Sequence, residues 1–175
     1  MNDDHREMLE DVFLEIGIRE GQELLDFGCG SGYYTIPAAG IVGREGTVYA
    51  VEKDGSKLDE LRKETINSGL SNVKTVNSSG GTDLPFPAEF LDVVLLYDVF
   101  SYYGPDSEEL SDLLNESSRV LKSEGFLSVF PKHVDIGELK KKISRADFDF
   151  RDRYSGTLLH YGNPEKGYIF NYKKR

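Results

Sequence analysis

Residues 23–35 read Glu-Leu-Leu-Asp-Phe-Gly-Cys-Gly-Ser-Gly-Tyr-Tyr-Thr, and this stretch limits the fold more than any other in the chain. A short apolar run of Leu24, Leu25 and Phe27 ends in glycines at three alternate positions, Gly28, Gly30 and Gly32. Tyr33–Val42 then reads as a helix, with Pro37 tolerated because it falls in the opening turns. Strand, glycine turn and helix in that order build a cradle for a nucleotide-like ligand. The glycines permit a tight turn and close approach of backbone to ligand, and the start of the helix offers unpaired N–H groups. A dinucleotide cradle carries Gly-x-Gly-x-x-Gly, with a small residue where this chain has Tyr33. Here the spacing is Gly-x-Gly-x-Gly, preceded two positions earlier by Asp26.

That pattern resembles the first motif of class I S-adenosylmethionine-dependent methyltransferases. The resemblance runs from about Gly17 to Tyr172. Thr47-Val48-Tyr49-Ala50-Val51 reads as a buried parallel strand ending in Glu52, and an acid at that place can accept hydrogen bonds from ribose hydroxyls. Ser78–Pro87 resembles the family's adenine loop, which ends Leu84-Pro85-Phe86, but Ser79-Gly80-Gly81 stands where the family carries an acid. Backbone groups of Gly81 and Thr82 are expected to edge the adenine, with Asp83 as a substitute acid. Arg119-Val120-Leu121-Lys122-Ser123-Glu124-Gly125 resembles the family's Arg-Val-Leu-Lys-Pro-Gly-Gly signature, whose role is structural. The cofactor residues implied are Asp26, Gly28, Cys29, Gly30, Gly32, Tyr33, Glu52, Lys53, Gly81, Thr82 and Tyr97, and the cofactor is S-adenosylmethionine.

The resemblance implies an α/β, Rossmann-like seven-stranded sheet, mostly parallel, with an antiparallel C-terminal hairpin and helices on both faces. Periodicity divides the chain accordingly. Asp4–Ile16 is an amphipathic helix, placed by the resemblance near the cofactor mouth. Lys57–Ser68 is a helix with Leu58, Leu61 and Ile66 inward and Gly69 as its stop. Val73–Asn77 and Leu91–Tyr97 are strands three and four. A helix capped by Asp106 with Glu109 runs to Leu121, and Phe126–Phe130 is strand five. Ile136, Leu139 and Ile143 mark a short helix. Phe148–His160 and Lys166–Tyr172 form the final hairpin, separated by Gly162-Asn163-Pro164-Glu165.

Methyl transfer from a sulfonium is an in-line displacement whose leaving group needs no proton, so positioning and exclusion of water are the main tasks. A base is needed only when the acceptor must lose a proton. Asp98 and His133 are the candidates for that role. Tyr97, Tyr102 and Tyr103 read as pocket wall, since a free phenol titrates near 10. Of Tyr33 and Tyr34, one is expected beside the methionine moiety and the other inside. His160 and Tyr161 close strand six as turn residues. Cys29 reads as a small buried filler, with no histidine following closely to activate it.

At 175 residues the chain is expected to form a single domain, residues 1–175, with an ordinary 38% hydrophobic content. A net charge of −10 disfavours nucleic acid and anionic membranes as partners, and Lys140–Lys142 and Lys173–Arg175 are the only basic clusters. One cysteine excludes an intrachain disulfide and a multi-cysteine metal site, and no metal is expected. A polar N-terminus without a signal-like apolar region fits a cytoplasmic location. The short connection Pro131–Asp147 leaves either an open pocket or one completed by a second copy in a homodimer. The reading is a methyltransferase for a small-molecule acceptor. A non-catalytic S-adenosylmethionine-binding protein, or a partner subunit of another methyltransferase, is the alternative, and a nicotinamide-dependent oxidoreductase is a third.

Overall fold

The computed structural model describes residues 2–104 and 107–175. The elements in order are α1 (Asp3–Ile16), β1 (Glu23–Phe27), α2 (Thr35–Val42), β2 (Thr47–Glu52), α3 (Gly55–Asn67), β3 (Val73–Asn77), β4 (Leu91–Tyr97), α4 (Glu108–Val120), β5 (Leu121–Phe130), α5 (Ile136–Arg145), β6 (Phe148–His160) and β7 (Asn163–Lys174). A single 3-10 turn covers Phe100–Tyr102. The strands form one sheet in the order β3-β2-β1-β4-β5-β7-β6. β1 to β5 are parallel, while β7 runs antiparallel to both β5 and β6. That is the expected architecture.

Successive strand side chains point to opposite faces, so each central strand supplies two cores. Leu24, Val93, Leu95 and Tyr97 join α1 and α2 on one face, through Phe13, Ile16, Ala38 and Val42. Leu58 and Leu61 of α3 pack with Ile36, Ala50 and Cys29 beside them. On the other face Leu25, Phe27, Val94 and Leu96 meet Leu110, Leu113 and Leu114 of α4 and Leu139 and Ile143 of α5. β4 is buried along almost its whole length, as the middle of a parallel sheet must be.

Three boundaries and the facing of one residue differ notably from the sequence reading. α2 begins at Thr35, two residues later than expected, because Tyr33 and Tyr34 belong to the turn. Ile66 is 77% exposed. Five residues beyond Leu61, it has swung roughly 140° around the helix and off the apolar stripe. Leu121 is already strand, pairing with Leu91 before a register shift brings Phe126 opposite Val93. β7 starts at Asn163 rather than Lys166, because Tyr161 and Gly162 alone make the turn. Both have positive φ (49° and 79°), the geometry of a two-residue hairpin that matches strand twist. Pro164 is admitted there because β5 pairs with β7 only from Phe170 onward.

The expected Asp106 cap lies outside the described residues. Among them, Ser107 caps α4, its hydroxyl accepting from the Leu110 N–H at 3.3 Å. No helix among the described residues is long and apolar enough to cross a membrane.

Candidate functional site

The strand order reverses between β1 and β4, and in open α/β sheets that crevice, at the carboxyl ends of the strands, is where ligands sit. A cavity of about 550 Å³ opens there. It is walled by residues at or just past four strand ends: Gly28–Ser31 after β1, Glu52–Asp54 from the last residue of β2, Ser78 and Gly80 after β3, and Asp98 after β4. The volume falls within the range of small-molecule sites.

The cradle is fixed by backbone geometry first. Gly28 has φ +75°, donates its N–H to the Val51 carbonyl at 2.8 Å, and leaves no room for a side chain. A Cβ there would stand 2.6 Å from Val99 Cγ1. At Gly30 a Cβ would meet nothing within 4 Å, so that residue faces the open cavity. Glu52 then ties β2 to the cradle. Its Oε2 accepts from the Gly30 N–H at 3.0 Å, and its Oε1 accepts from the N–H groups of Lys53 and Asp54 at 2.8 and 3.0 Å. The carboxylate is thus aimed across the mouth between the two loops. Lys53 also lines the cavity, its ammonium 5.1 Å from the centre of the Tyr102 ring.

Asp26 is not on the cavity wall. It is buried beneath the cradle, where its Oδ2 accepts from the Thr35 hydroxyl at 2.6 Å. Burial, opposed in part by that hydrogen bond and reinforced by the nearby Glu52 charge, raises its pKa to about 6. Gly32 likewise sits behind the wall, against Leu61. Cys29 is buried in the turn, and burial with the charges of Asp26 and Glu52 pushes its thiol far above the usual range. A thiol so raised is no nucleophile at neutral pH.

The inner wall is aromatic. Tyr34 and Tyr97 meet edge to face with ring centres 4.9 Å apart, and Phe13 of α1 packs behind both. The Tyr34 hydroxyl donates to the Leu159 carbonyl of β6, and the Tyr97 hydroxyl is paired with Ser128 Oγ at 2.8 Å. Desolvation raises both phenols, so they act as wall and not as bases. Tyr33 stands at the rim, 38% exposed, and Tyr102 and Tyr161 are more exposed still. α1 contributes no lining residue of its own; it backs the wall through Phe13.

Asp98 lines the cavity just beyond β4 in a left-handed backbone conformation, φ 57°. Its Oδ2 lies 3.1 Å from Nδ1 of His160, and neither that nitrogen nor the buried Oδ1 has an aligned hydrogen-bond partner. Burial raises the Asp98 pKa, opposed by His160 and Lys132. His133 is exposed and absent from the cavity wall, and it reaches the site only through His160.

The third loop is held from a distance. Arg119 at the end of α4 donates to the carbonyls of Phe86 (2.9 Å) and Leu84 (3.0 Å) and is paired with Glu116 at 2.6 Å. Glu116 in turn accepts from the Leu84 N–H at 3.1 Å. The Leu-Pro-Phe segment is therefore clamped by the Arg119 that the Arg-Val-Leu-Lys signature contains, which sequence reasoning marked as structural without finding its partner. Ser78 and Gly80 line the cavity, whereas Gly81 and Thr82 do not.

A family model described as the methyltransferase domain matches residues 25–129, which spans the cradle, the second-strand acid and the Arg119 clamp. The chain belongs to the class I S-adenosylmethionine-dependent methyltransferase family. S-adenosylmethionine follows as its cofactor. The ubiquinone/menaquinone biosynthesis C-methyltransferase UbiE of Vibrio parahaemolyticus is 32% identical over 144 residues, covering 82% of this chain and 51% of that protein. Aklanonic acid methyltransferase DauC of Streptomyces sp. (strain C5) is 32% identical over 105 residues, 57% of this chain and 46% of DauC. The chain spans about half the length of the curated relatives it matches. Among solved structures, a SAM-dependent methyltransferase from Aquifex aeolicus superposes with TM-score 0.75 at 23% identity, over 98% of this chain and 93% of that one. The [4+2]-cyclase SpnF shares the fold as well, with TM-score 0.73 at 16% identity over 97% of this chain and 80% of its own.

Proposed function

We propose that this protein is a methyltransferase that moves the methyl group of S-adenosylmethionine to a small-molecule acceptor. The observation that carries the reading is the Glu52 carboxylate held across the cavity mouth against Gly30, at the point where the strand order reverses. The residues present fit such a cofactor. A carboxylate that faces a cavity can take ribose hydroxyls, and Gly30 opens the backbone to close approach. Ser78 and Gly80, with Val51 and Val99, offer polar and apolar edges to the adenine side. The buried pair Tyr34 and Tyr97 excludes water from the region toward Asp98.

When bound, the cofactor supplies a methyl carbon made electrophilic by its sulfonium. The chain's part is then to hold the acceptor in line and keep water out. Asp98, on the wall beyond β4, is our candidate for receiving a proton where the acceptor carries one. A small molecule is favoured over a nucleic acid by the net charge of −10 and by the small-molecule substrates in the names of relatives such as aklanonic acid methyltransferase. The same charge argues against a membrane surface, and a reducing cytoplasm suits a chain with one cysteine. A homodimer remains part of this proposal, since the rim residues Tyr102 and Tyr161 are 68% and 72% exposed beside the open cavity.

SpnF illustrates that the fold alone does not fix the reaction, so cofactor binding is the first test. Isothermal titration with S-adenosylhomocysteine should give binding in the micromolar range that is lost in Glu52→Ala. No heat with the wild-type chain, or heat with NAD instead, refutes the proposal.

A further inference from the structure

Asp98, His133 and Tyr161 follow the ends of β4, β5 and β6, and all three have left-handed backbones, with φ of 57°, 57° and 49°. Among the described residues, only two other non-glycine residues have positive φ, and both lie on other turns. Such residues persist only where their surroundings over-determine them. Two of them, Asp98 and His133, belong with His160 to a row of three titratable side chains, and Tyr161 makes the hairpin turn beside it. Asp98 stands on the cavity wall, His160 Nδ1 is 3.1 Å from its Oδ2, and His160 Nε2 is 3.0 Å from Nε2 of the exposed His133. When two imidazole nitrogens meet at that distance, one must carry the proton and the other accept it. Asp98, His160 and His133 thus stand in one line from the cavity wall to the surface. The titratable and charged groups facing Asp98 from neighbouring elements are His160 on β6, Lys132 after β5 and Glu165 on β7. Lys132 and Glu165 pair with each other at 2.8 Å. The two histidines are what join Asp98 to the surface.

Resting on the methyltransferase reading above, we infer that Asp98, His160 and His133 form a proton path from the acceptor end of the cavity to the surface. The acceptor is accordingly one that loses a proton on methylation, such as a phenol or enol hydroxyl, rather than a thioether or tertiary amine. Asp98 takes the proton of the acceptor's O–H bond. The electron pair released forms the new oxygen–carbon bond, while the carbon–sulfur bond breaks with its pair returning to sulfur. The proton on Asp98 passes to His160 and His133 and then to water, so that one proton leaves for each methyl transferred. Asp98 is the catalytic residue in this scheme, and His160 and His133 are positioning and relay residues.

Two measurements test it. In the cofactor-free chain, the carboxyl carbon-13 resonance of Asp98 followed against pH should titrate above the ordinary range. It should move further up in His160→Gln, where burial loses one of its opponents; equal midpoints in the two chains overturn the path. Methyl transfer is read as S-adenosylhomocysteine formed with phenol, 4-nitrophenol and dimethyl sulfide as probe acceptors. Phenol turnover should fall about tenfold or more in Asp98→Asn and His160→Gln with the cofactor KM unchanged. The loss should be small for 4-nitrophenol, which is already ionised at mildly alkaline pH. His133→Gln, at the exposed end, serves as the variant least disturbing to folding and should slow phenol but not 4-nitrophenol. Turnover confined to dimethyl sulfide, equal losses with both phenols, or no turnover of either phenol overturns the acceptor assignment. A chain that binds no S-adenosylhomocysteine refutes the methyltransferase reading itself, and the Asp98 titration still decides whether the row is coupled.

Discussion

The carboxylate of Glu52 at the end of β2 accepts a hydrogen bond from the backbone N–H of Gly30 at 3.0 Å, joining the two loops that flank the cavity mouth. The same carboxylate takes the N–H groups of Lys53 and Asp54, so its position is set by three backbone donors. Glu52→Ala should therefore act on binding through both the missing acceptor and the loosened loops. A hydrogen bond to a charged group contributes roughly 1.5–3 kcal/mol, which predicts a 10- to 100-fold rise in Kd for S-adenosylhomocysteine by titration calorimetry. An unchanged Kd would show that the cavity's occupant does not use this carboxylate.

Gly28 should tolerate no side chain. Gly28→Ala meets a backbone at φ +75° and a contact of 2.6 Å with Val99 Cγ1. Strain and overpacking together predict a loss of roughly 2–4 kcal/mol in urea unfolding. Val99→Ala in the same chain should return the packing share but not the backbone share, so the double variant recovers only in part. Full recovery would mean that the left-handed conformation carries no strain here.

Asp26 predicts a pH dependence. Its folded-state pKa of about 6 lies above the ordinary value, so folding favours the protonated form. That contribution is fully present below about pH 4 and is lost as pH rises through 6. A shift of about two units corresponds to roughly 3 kcal/mol for a group this buried. Urea titrations at pH 4, 5, 6 and 7 should show wild type losing stability relative to Asp26→Asn across that window. A difference between the two chains that does not vary with pH would place the carboxyl at its ordinary value.

Arg119 should behave as a clamp whose geometry matters more than its charge. It donates to the carbonyls of Leu84 and Phe86 while paired with Glu116, and Arg119→Ala leaves those acceptors without it. The expected loss is about 1–3 kcal/mol, with faster proteolysis across 78–90. Arg119→Lys should recover little, since an ammonium's three donors leave one nitrogen and cannot match four bonds spread over three guanidinium nitrogens. Equal stability of the Lys variant and wild type would reduce the clamp to simple charge.

The parallel part of the fold was legible because its signals are local. Leu24, Leu25 and Phe27 running into alternate glycines, the apolar run Leu91–Tyr97 and the helical spacing through Leu110, Leu113 and Leu114 each lie within one element. The errors fell where two readings of the same local pattern compete. Asn163, Pro164 and Glu165 read as turn but are strand, because two left-handed residues at 161 and 162 suffice for the reversal. Ile66 matched an apolar stripe by type and missed it by angle.

The sequence alone determined where the cradle lies, since an apolar run, three alternate glycines that allow a tight turn and a helical stretch follow one another locally. It determined the second-strand acid for the same reason, a residue's place at a strand end being a local property. Tertiary structure decided which side chains meet. His160 lies far from Asp98 in the sequence, and Leu84 lies 35 residues before Arg119. Those contacts exist only because parallel strands bring their carboxyl ends to one edge of the sheet and the terminal hairpin folds His160 back beside it. Local propensity carries no record of such distances, so the acceptor end of the cavity became readable only once the sheet was assembled.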